Sequence, residues 1–257
     1  MCCYISINAS AESTLDNISV HITAFDFPPV SHIGVNGRIS GKGLETVRAL
    51  CIEAKLDCIF EIRPTARAYY SIENGTTDIL MTANLPQFKN CCLFADWDYD
   101  FSFGILSYET MNDIPENSTS LLGKNMIIIR QWQTPYLVFP DLDKLVSENK
   151  VLVSQSNSIY SAIKMHQRKR APFLWGSDKF DWYYSKMGIP MEDLNYKELT
   201  SSTSGLWVSK QHPRHKEIKL RLDKANKALR SSGSIGTNDF LVPELMDKVY
   251  EDAPLPF

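Results

Sequence analysis

Short apolar stretches that alternate with helix-like stretches constrain this chain more than any other feature of its sequence. ISVHITAF (18–25) alternates apolar and polar residues as a half-buried strand does, and GLETVRALCIEAK (43–55) places its apolar residues on one helical face. CIFEI (58–62) and DILMT (78–82) are two further predicted strands, with a predicted helix between them. Strands that alternate with helices favour a parallel sheet covered by helices on both faces.

The same alternation starts again in the second half of the chain. NMIIIR (125–130), KVLVS (150–154) and FLWG (173–176) are predicted strands. Helices are predicted from about Ser158 to Arg168 and over 178–188, and Thr134-Pro135 has the capping residue and proline of a helix start. Two α/β units of similar size are therefore predicted side by side.

Extended segments connect these two units. DYDFSFGILSYE (98–109) is predicted to cross from the first unit to the second, and GLWVSK (205–210) to carry the chain back. The amphipathic stretch KEIKLRLDKANKALRSSG (216–233) predicts a helix that packs on the first unit. The tail from Thr237 is weakly patterned, and we expect it to be loose and dispensable for binding.

The charge balance excludes two classes of function. The 257 residues include 27 basic and 30 acidic side chains, for a net charge of -3, so neither a nucleic-acid partner nor a membrane surface is indicated. No window approaches the ~18 consecutive apolar residues of a membrane-spanning helix. With 44% hydrophobic residues, the chain can form a substantial core.

The N-terminal stretch MCCYISINASA is small and apolar and ends in Ala9-Ser10-Ala11. This ending fits the cleavage site of a secretory leader, so residues 1–11 are interpreted as a truncated signal peptide, with the mature protein beginning near Glu12. The alternative interpretation is an unstructured N-terminus.

Four cysteines follow: Cys51, Cys58, Cys91 and Cys92. Their spacing does not require any pairing, and the sequence favours buried free thiols, because Cys51 lies on an apolar helix face and Cys58 opens a strand. The sequence has no C-x-x-C pair and no His/Cys cluster. Neither a metal nor a cofactor is therefore predicted.

Ligands of open parallel sheets bind beyond the carboxyl ends of the strands. The positions that follow the predicted strands include Phe27, Thr65, Thr82, Ala83, Gln155 and Ser177. From these strand ends the ligand site is predicted to use Phe25, Asp26, Arg67, Asn84, Arg130, Gln131, Trp132, Ser156, Asn157 and Asp178.

The helix after the second strand carries the run Arg67, Ala68, Tyr69, Tyr70. Arg67 lies in the first helical turn, where its side chain either reaches a cleft or forms a surface salt bridge. Helical spacing turns Tyr69 and Tyr70 elsewhere, and at least one of them is expected in the core.

Six stretches, in this order, carry a family resemblance. They are FDFPP, GKGLETVRALC, PTARAYYSIENGTTDILM, LFADWDYDFSFGIL, LLGKNMIIIRQW and LWVSKQHPRHKEIKLRLDKANKALRSSGSI. Together they cover nearly all of residues 18–235, and the chain resembles the type 2 periplasmic binding proteins, in particular the extracellular solute-binding proteins of polar amino acid uptake.

The resemblance implies a two-lobed α/β fold, each lobe a mostly parallel sheet flanked by helices, with the lobes joined by two hinge strands. Lobe 1 would comprise 18–101 plus 207–257, lobe 2 would comprise 106–203, and the hinge crossings would be 102–105 and 204–206. Ligand would lie in the cleft between the lobes.

The resemblance also assigns roles to site residues. Phe25 resembles the aromatic residue that stacks on ligand, and Arg67 the arginine of a P-W-x-R-A motif in which Thr65 here replaces the tryptophan. Where amino-acid-binding members read G-x-T-x-T-x-E-R, this chain reads MTANLPQFKN, so Phe88 stands in place of the arginine that grips the α-carboxylate of the ligand. Lys89 takes over that role only if the loop shifts.

On the other lobe, the aspartate that meets an amino group in the resembled family falls near Ser177 or Asp178. Because the arginine is missing, we expect weak or no binding of the common L-α-amino acids. Arg67→Ala is expected to lower affinity for the true ligand by about tenfold or more.

The function implied is that of a monomeric periplasmic protein of a Gram-negative bacterium that captures a small polar ligand. Its partner would be an ABC permease or a sensor protein in the inner membrane, and a stand-alone ligand-sensing module is the alternative. An enzyme is disfavoured, because the sequence has no nucleophile elbow, phosphate loop or Cys/His pair, and lone aspartates at helix starts usually act as caps.

Overall fold

The computed structural model describes residues 17–34 and 37–242. The predicted signal peptide, residues 1–11, and the last part of predicted lobe 1, residues 243–257, lie outside the described residues.

Ten strands and six α-helices make up the described chain. The strands are β1 (Ile18–Ala24), β2 (His32–Ile33), β3 (Ile39–Ser40), β4 (Leu56–Ile62), β5 (Ile79–Ala83), β6 (Cys92–Ser107), β7 (Asn125–Ile129), β8 (Leu152–Ser156), β9 (Phe173–Ser177) and β10 (Asn195–Ser209). The helices are α1 (Lys42–Glu53), α2 (Thr65–Glu73), α3 (Leu142–Ser147), α4 (Ile159–Gln167), α5 (Phe180–Lys186) and α6 (His215–Ser231).

Eight of the strands form one sheet in the order β4-β1-β5-β10-β6-β9-β7-β8. On one side β4, β1 and β5 are parallel, and on the other β9, β7 and β8 are parallel. The long strands β6 and β10 lie between them, antiparallel to each other and to their other neighbours. The sheet thus consists of two parallel halves joined by two antiparallel strands that extend into both.

Buried stripes on the helices explain how this sheet is covered. Leu44, Val47 and Leu50 form the buried face of α1, and every residue of β5 is buried. On α6 the stripe of Ile218 and Leu222 is buried, and this helix packs on α1 and β6. The predicted packing of the last helix on the first unit is therefore confirmed.

The two crossing strands are longer than the sequence predicts. The segments predicted as crossings, 102–105 and 204–206, lie inside β6 and β10, but β10 already begins at Asn195. Polar residues such as Ser201 and Ser202 hide this strand from a hydrophobicity pattern, and pairing with β6 stabilises it. The helix predicted to begin at Thr134 is a short 3-10 turn, Thr134–Leu137, and α3 begins only at Leu142.

The chain after Thr237 differs from the expected loose tail as far as it is described. Phe240 is buried against Tyr99, with ring centroids 4.8 Å apart, and the backbone oxygen of Asp239 accepts a 2.9 Å hydrogen bond from Trp97 Nε1. The amide of Leu241 donates to Thr46 Oγ1 at 3.1 Å. Residues 239–241 therefore anchor the chain end on the first half of the molecule, a long-range contact that local patterning does not reveal.

The expectation of free thiols is wrong for one pair of cysteines. Cys51 and Cys58 form a disulfide, with their Cα atoms 6.3 Å apart, that joins the end of α1 to β4. The turn between helix and strand brings the buried face of α1 over β4, and hydrophobic patterning cannot show that approach. Cys91 and Cys92 are free.

No helix in the described part of the chain is long and apolar enough to cross a membrane. Within the same residues, no group of three or more His, Cys, Asp or Glu side chains is placed to hold a metal ion.

Candidate functional site

A cavity of about 40 Å³ lies between the two halves of the sheet, at the carboxyl ends of β1, β5 and β7. Its lining residues come from the first half, from the crossing strands and from the second half. They are Phe25, Phe27, Val30, Ser31, Tyr69, Met81, Thr82 and Ala83; Tyr99, Phe101, Phe103 and Ser204; and Trp132, Gln133 and Thr134.

Aromatic rings form much of the cavity surface. Tyr99, Phe101 and Phe103 follow one another on one face of β6, because side chains two residues apart on a strand share a face. The ring centroids of Phe101 and Phe103 are 4.9 Å apart, and Phe101 lies 5.1 Å from Phe27. Trp132, from the second half, lies 6.3 Å from Phe27. The rings therefore form a continuous surface across both halves of the molecule.

Hydroxyl groups supply the polar part of the cavity. Ser31 Oγ donates to the carbonyl oxygen of Phe25 at 2.7 Å, which ties the cavity loop to the end of β1. Thr134 Oγ1 accepts a 2.9 Å bond from Trp175 Nε1, so its own proton remains available to a ligand. Burial raises the pKa of Tyr69 to about 12, so its hydroxyl is neutral at physiological pH and can donate.

Charged side chains are absent from the lining among the residues that the structure describes. Asp26 is the nearest carboxylate in sequence, between the lining residues Phe25 and Phe27. Desolvation by surrounding protein raises the pKa of Asp26 to about 6, although the residue as a whole is exposed to solvent. Within the described chain, Asp26 has no ion-pair partner.

Groups from the two halves approach each other beside the cavity. Burial raises the pKa of Tyr183 on α5 well above its usual value, and the Asp26 carboxylate raises it further. Burial lowers the pKa of Lys42, at the start of α1, and Lys179 from the other half lowers it further, whereas Asp178 and Asp181 act in the opposite direction. The Lys42 ammonium lies 4.4 Å from the ring centre of Phe240. The two halves therefore face each other closely in this conformation.

Some of the predicted site residues belong to this cavity. Phe25 and Trp132 line it, and Asp26 follows Phe25 directly. The others do not line it: Arg67, Asn84, Arg130, Gln131, Ser156, Asn157 and Asp178.

The order of the strands explains these differences. The central strands β5, β10 and β6 lie at the cavity, whereas β4 and β8 form the outer edges of the sheet. Ser156 ends β8 and Asn157 follows it, and the Ser156 hydroxyl donates to the backbone oxygen of Ser158 at 2.9 Å at the start of α4. Arg67 follows the other edge strand and is exposed.

Local contacts account for the remaining positions. The amide of Arg130 donates to the Ser156 carbonyl at 2.8 Å, and Gln131 has a positive φ of 65° that turns the chain so that Trp132 enters the cavity. The amide of Asn84 donates to Thr203 at 2.8 Å, and its side chain is exposed. Asp178 is paired with Lys179 and accepts a bond from Ser177 Oγ at 3.0 Å.

The tyrosines of α2 differ from the expectation. Tyr69 lines the cavity, and its hydroxyl lies 3.4 Å from Thr82 Oγ1, whereas Tyr70 is 68% exposed. Phe88 is fully buried between Tyr69 and Trp207, with centroid distances of 5.2 Å and 5.7 Å. Phe88 therefore packs behind the cavity lining instead of entering the cavity.

The aromatic residues of β6 were missed as site residues. The stretch WDYDFSF has an aromatic residue at every second position from Trp97 to Phe103, and this alternation is the signal that could have identified one aromatic face. A crossing segment that carries such a face at the centre of the sheet is placed to line a cleft.

Solved structures share this architecture. A histidine kinase sensor domain with similarity to periplasmic binding proteins aligns with a TM-score of 0.69 and 14% identity, over 84% of this chain and 92% of that one. A mutant of ArgBP from T. maritima aligns with a TM-score of 0.67 and 17% identity, over 91% and 96% of the two chains. An ABC uptake transporter substrate binding protein from Streptococcus pneumoniae, with bound histidine, aligns with a TM-score of 0.67 and 12% identity, over 91% and 93%.

This chain has the two-lobed fold of the type 2 periplasmic binding proteins. The predicted fold class is thereby confirmed. No protein-family model and no curated protein sequence matches the chain. The three structures are at most 17% identical to this chain, so their similarity establishes the fold alone. The ligand must be inferred from the residues of the cavity.

Proposed function

We propose that this protein is an exported solute-binding protein that captures a small polar molecule between its two lobes and delivers it to an ABC-type transporter. The observation that carries the proposal is the aromatic, hydroxyl-lined cavity at the carboxyl ends of the strands, to which both halves of the molecule contribute. We take the lobes as 18–101 plus 207–257 and 106–203, with hinges at 102–105 and 204–206.

The chemistry of the cavity favours a particular kind of ligand. A buried α-carboxylate needs a charged donor, and the described lining offers only hydroxyls, amides and aromatic faces. The rings of Phe25, Phe101 and Trp132 suit a planar or cationic group, at about 0.5–2 kcal/mol per well-placed cation–π contact. The carboxylate of Asp26, the residue that follows Phe25, adds attraction for a cation. We therefore propose a planar or cationic solute rather than an ordinary L-α-amino acid.

Export is supported by the Cys51–Cys58 disulfide, because such bonds persist mainly in oxidising compartments. A catalytic role has no support in the lining of the cavity, which brings together hydroxyls and rings without a nucleophile–base pair.

A thermal-shift screen followed by calorimetry tests this function. The screen should contain the twenty amino acids, quaternary ammonium compounds, guanidinium compounds and planar heterocycles. We expect a hit among the cationic or planar compounds. Sub-micromolar binding of a common L-α-amino acid would show that the ligand class is wrong, and the absence of any hit with any small molecule would count against the function itself.

A pair of variants then locates the site. Trp132→Ala should weaken binding of the hit by about tenfold, whereas Arg67→Ala should change it less than about threefold, because Arg67 is exposed and does not line the cavity. Trp132→Phe, which keeps an aromatic face, separates lost binding from lost packing. A tenfold loss in Arg67→Ala with normal binding in Trp132→Ala would place the ligand elsewhere.

A sensing module is the second candidate, and the similarity to a histidine kinase sensor domain favours it. It differs from the transport protein only in its partner. Co-purification after cross-linking in native membranes should recover a permease if the protein serves transport, and a membrane kinase if it serves sensing.

A further inference from the structure

Two adjacent cysteines lie where the loop after β5 enters β6. The Sγ atoms of Cys91 and Cys92 are 3.0 Å apart, about 1 Å more than the ~2.05 Å bond of a disulfide. Cys91 is partly exposed, whereas Cys92 is 2% exposed. Both thiols are free, and their side chains already point toward each other.

The backbone on either side of this pair is held in place. Lys210 Nζ donates to the carbonyl oxygens of Lys89 and Asn90 at 2.8 Å and 2.9 Å, and the Lys210 amide donates to the Cys91 oxygen at 2.8 Å. Cys92 is paired with Ser209 in the β6–β10 register. The Cα atoms of adjacent residues lie about 3.8 Å apart, closer than the roughly 4.4–6.8 Å of ordinary disulfides, so the bond closes only with a local adjustment of the Cys91–Cys92 peptide and is more easily reduced than an ordinary disulfide.

The surroundings of the two thiols determine which of them reacts first. Burial raises the pKa of Cys92, and the neighbouring Cys91 raises it further, while the Lys210 ammonium acts in the opposite direction. Cys91 donates its S–H to the Phe88 carbonyl at 3.5 Å. The partly exposed Cys91 is the sulfur that a reagent in solution reaches first.

We propose that Cys91 and Cys92 form a reversible vicinal disulfide by exchange with a disulfide-carrying oxidant. The Cys91 thiolate attacks one sulfur of the oxidant and releases its other sulfur as a thiol. Cys92 then loses its proton and attacks Cys91 Sγ, which releases the second thiol. Two cysteine thiols are oxidised to one disulfide, and one oxidant disulfide is reduced to two thiols.

This bond would act on the lining of the cavity. Its formation removes the Cys91 S–H donor from the Phe88 carbonyl, and the Phe88 ring packs on Tyr69, a cavity residue. The oxidation state of the pair is thereby coupled to the position of Tyr69. The chemistry of the pair does not depend on the proposed function.

Mass spectrometry of the full-length chain tests the proposal. Cys2 and Cys3, which lie outside the described residues, are first replaced by serine. The folded protein is treated with oxidised glutathione or with a mild reductant, then unfolded and alkylated with N-ethylmaleimide. After oxidation we expect no alkylation and a peptide containing Cys91 and Cys92 that is lighter by two hydrogen atoms. After mild reduction both cysteines should be alkylated.

Single substitutions provide the matched controls. In Cys92→Ser, Cys91 should retain one glutathione, because no second thiol is present to displace it. In Cys91→Ser, the buried Cys92 should be far slower to react. Hydrogen exchange of the unsubstituted pair should differ between oxidised and reduced protein over residues 84–92. A stable glutathione adduct on Cys91 with Cys92 present, or two alkylated thiols after oxidation, would overturn the proposal.

Discussion

Asp26 lies between two residues that line the cavity, and its pKa is shifted by the surrounding protein. Its pKa, raised by desolvation from 3.8 to about 6, lies above the unfolded value, so protonation favours the folded state. The stabilising contribution of the protonated form is present at low pH and is lost as the pH rises through about 6.

We expect Asp26→Asn to raise the melting temperature at pH 7.5 and to have a smaller effect at pH 5, since asparagine removes the costly charge. Thermal denaturation at the two pH values measures this difference. Asp57→Asn, at an exposed position of β4, is the control for the loss of one surface carboxylate and should leave the melting temperature nearly unchanged. An equal effect of Asp26→Asn at both pH values would contradict the desolvation of Asp26. Asp26→Asn should also weaken binding of a cationic ligand, because it removes the negative charge.

His166 is a second titrating residue, in the core of the other lobe. Its Nε2 lies 3.1 Å from the Pro172 carbonyl oxygen, so that nitrogen carries the proton and donates, and Nδ1 accepts from the Tyr184 hydroxyl at 2.9 Å. Burial lowers the pKa of His166 below 6.5. Its contribution to stability is therefore present above pH 6.5 and is lost as the pH falls toward the folded pKa.

His166→Phe should destabilise the protein by about 2 kcal/mol at pH 7.5, because it leaves buried hydrogen-bonding groups unpaired. The cost should shrink at pH 5.5, where the wild-type histidine is itself penalised. Urea denaturation at both pH values gives the comparison. If the cost grew at the lower pH, the assigned direction of the pKa shift would be wrong.

Among the elements, the crossing strands β6 and β10 approach each other too closely for side chains at two points. A Cβ at Gly104 would collide with the backbone oxygen of Lys197, and one at Gly205 would lie 2.5 Å from the Trp97 oxygen. The register of the two strands shifts at Glu198/Thr200 and at Gly205/Trp207. Glycine is therefore required where these strands meet.

Gly104→Ala should cost at least about 2 kcal/mol of unfolding free energy, because the obstacle is backbone that must move. Gly236→Ala is the matched control. Its added Cβ would lie 3.3 Å from the side-chain oxygen of Asn238 and at ordinary contact distance, 3.8 Å, from the Phe240 backbone oxygen and a Val242 methyl, so the cost should be about 0.5 kcal/mol or less. Chemical denaturation of both variants decides the matter. A neutral Gly104→Ala would mean that β6 and β10 are separated more widely than described.

The segment that ends the described chain, around Phe240, packs firmly on the first half of the molecule. Phe240 is 4% exposed, packs on Trp97 and Tyr99 and lies under the Lys42 ammonium. Phe240→Ala should cost about 3 kcal/mol, the usual loss for a buried phenylalanine. Ile52→Ala, at a side chain that is 78% exposed, should cost less than about 0.5 kcal/mol under the same urea titration. Similar values for both variants would restore the view that this segment is loose.

For the whole molecule, the cavity and the proposed hinge strands together predict a change of shape. A cavity of about 40 Å³ is too small for most solutes, so under the proposed function we expect the lobes to separate to admit one and to close again over it. We expect small-angle scattering of the ligand-free protein to show an ensemble that becomes more compact at saturating ligand. Identical curves with and without ligand, at a concentration confirmed by calorimetry, would exclude closure.

Periodicity alone determined much of the architecture. β1, α1, β4, β5 and α4 lie within a few residues of their predicted positions. The apolar pattern marks the buried face of β1, α1, β4 and α4 directly, and β5 is a short continuous apolar run that is buried on both faces. The position of Phe25, Asp26 and Trp132 at or beside the cavity followed from the rule that sites lie at the carboxyl ends of strands. These features depend on local sequence, which is why the sequence determined them.

The tertiary structure decided which strand ends meet. The central position of β5, β10 and β6 places Tyr69, Phe101 and Thr134 in the cavity and leaves Arg67 and Asn157 outside it. The tertiary structure also decided the Cys51–Cys58 bond and the anchoring of Phe240, because both join residues through contacts that no local pattern encodes. Strand order and long-range packing come from the summed burial of the whole chain, so a local pattern can predict an element without predicting its neighbour.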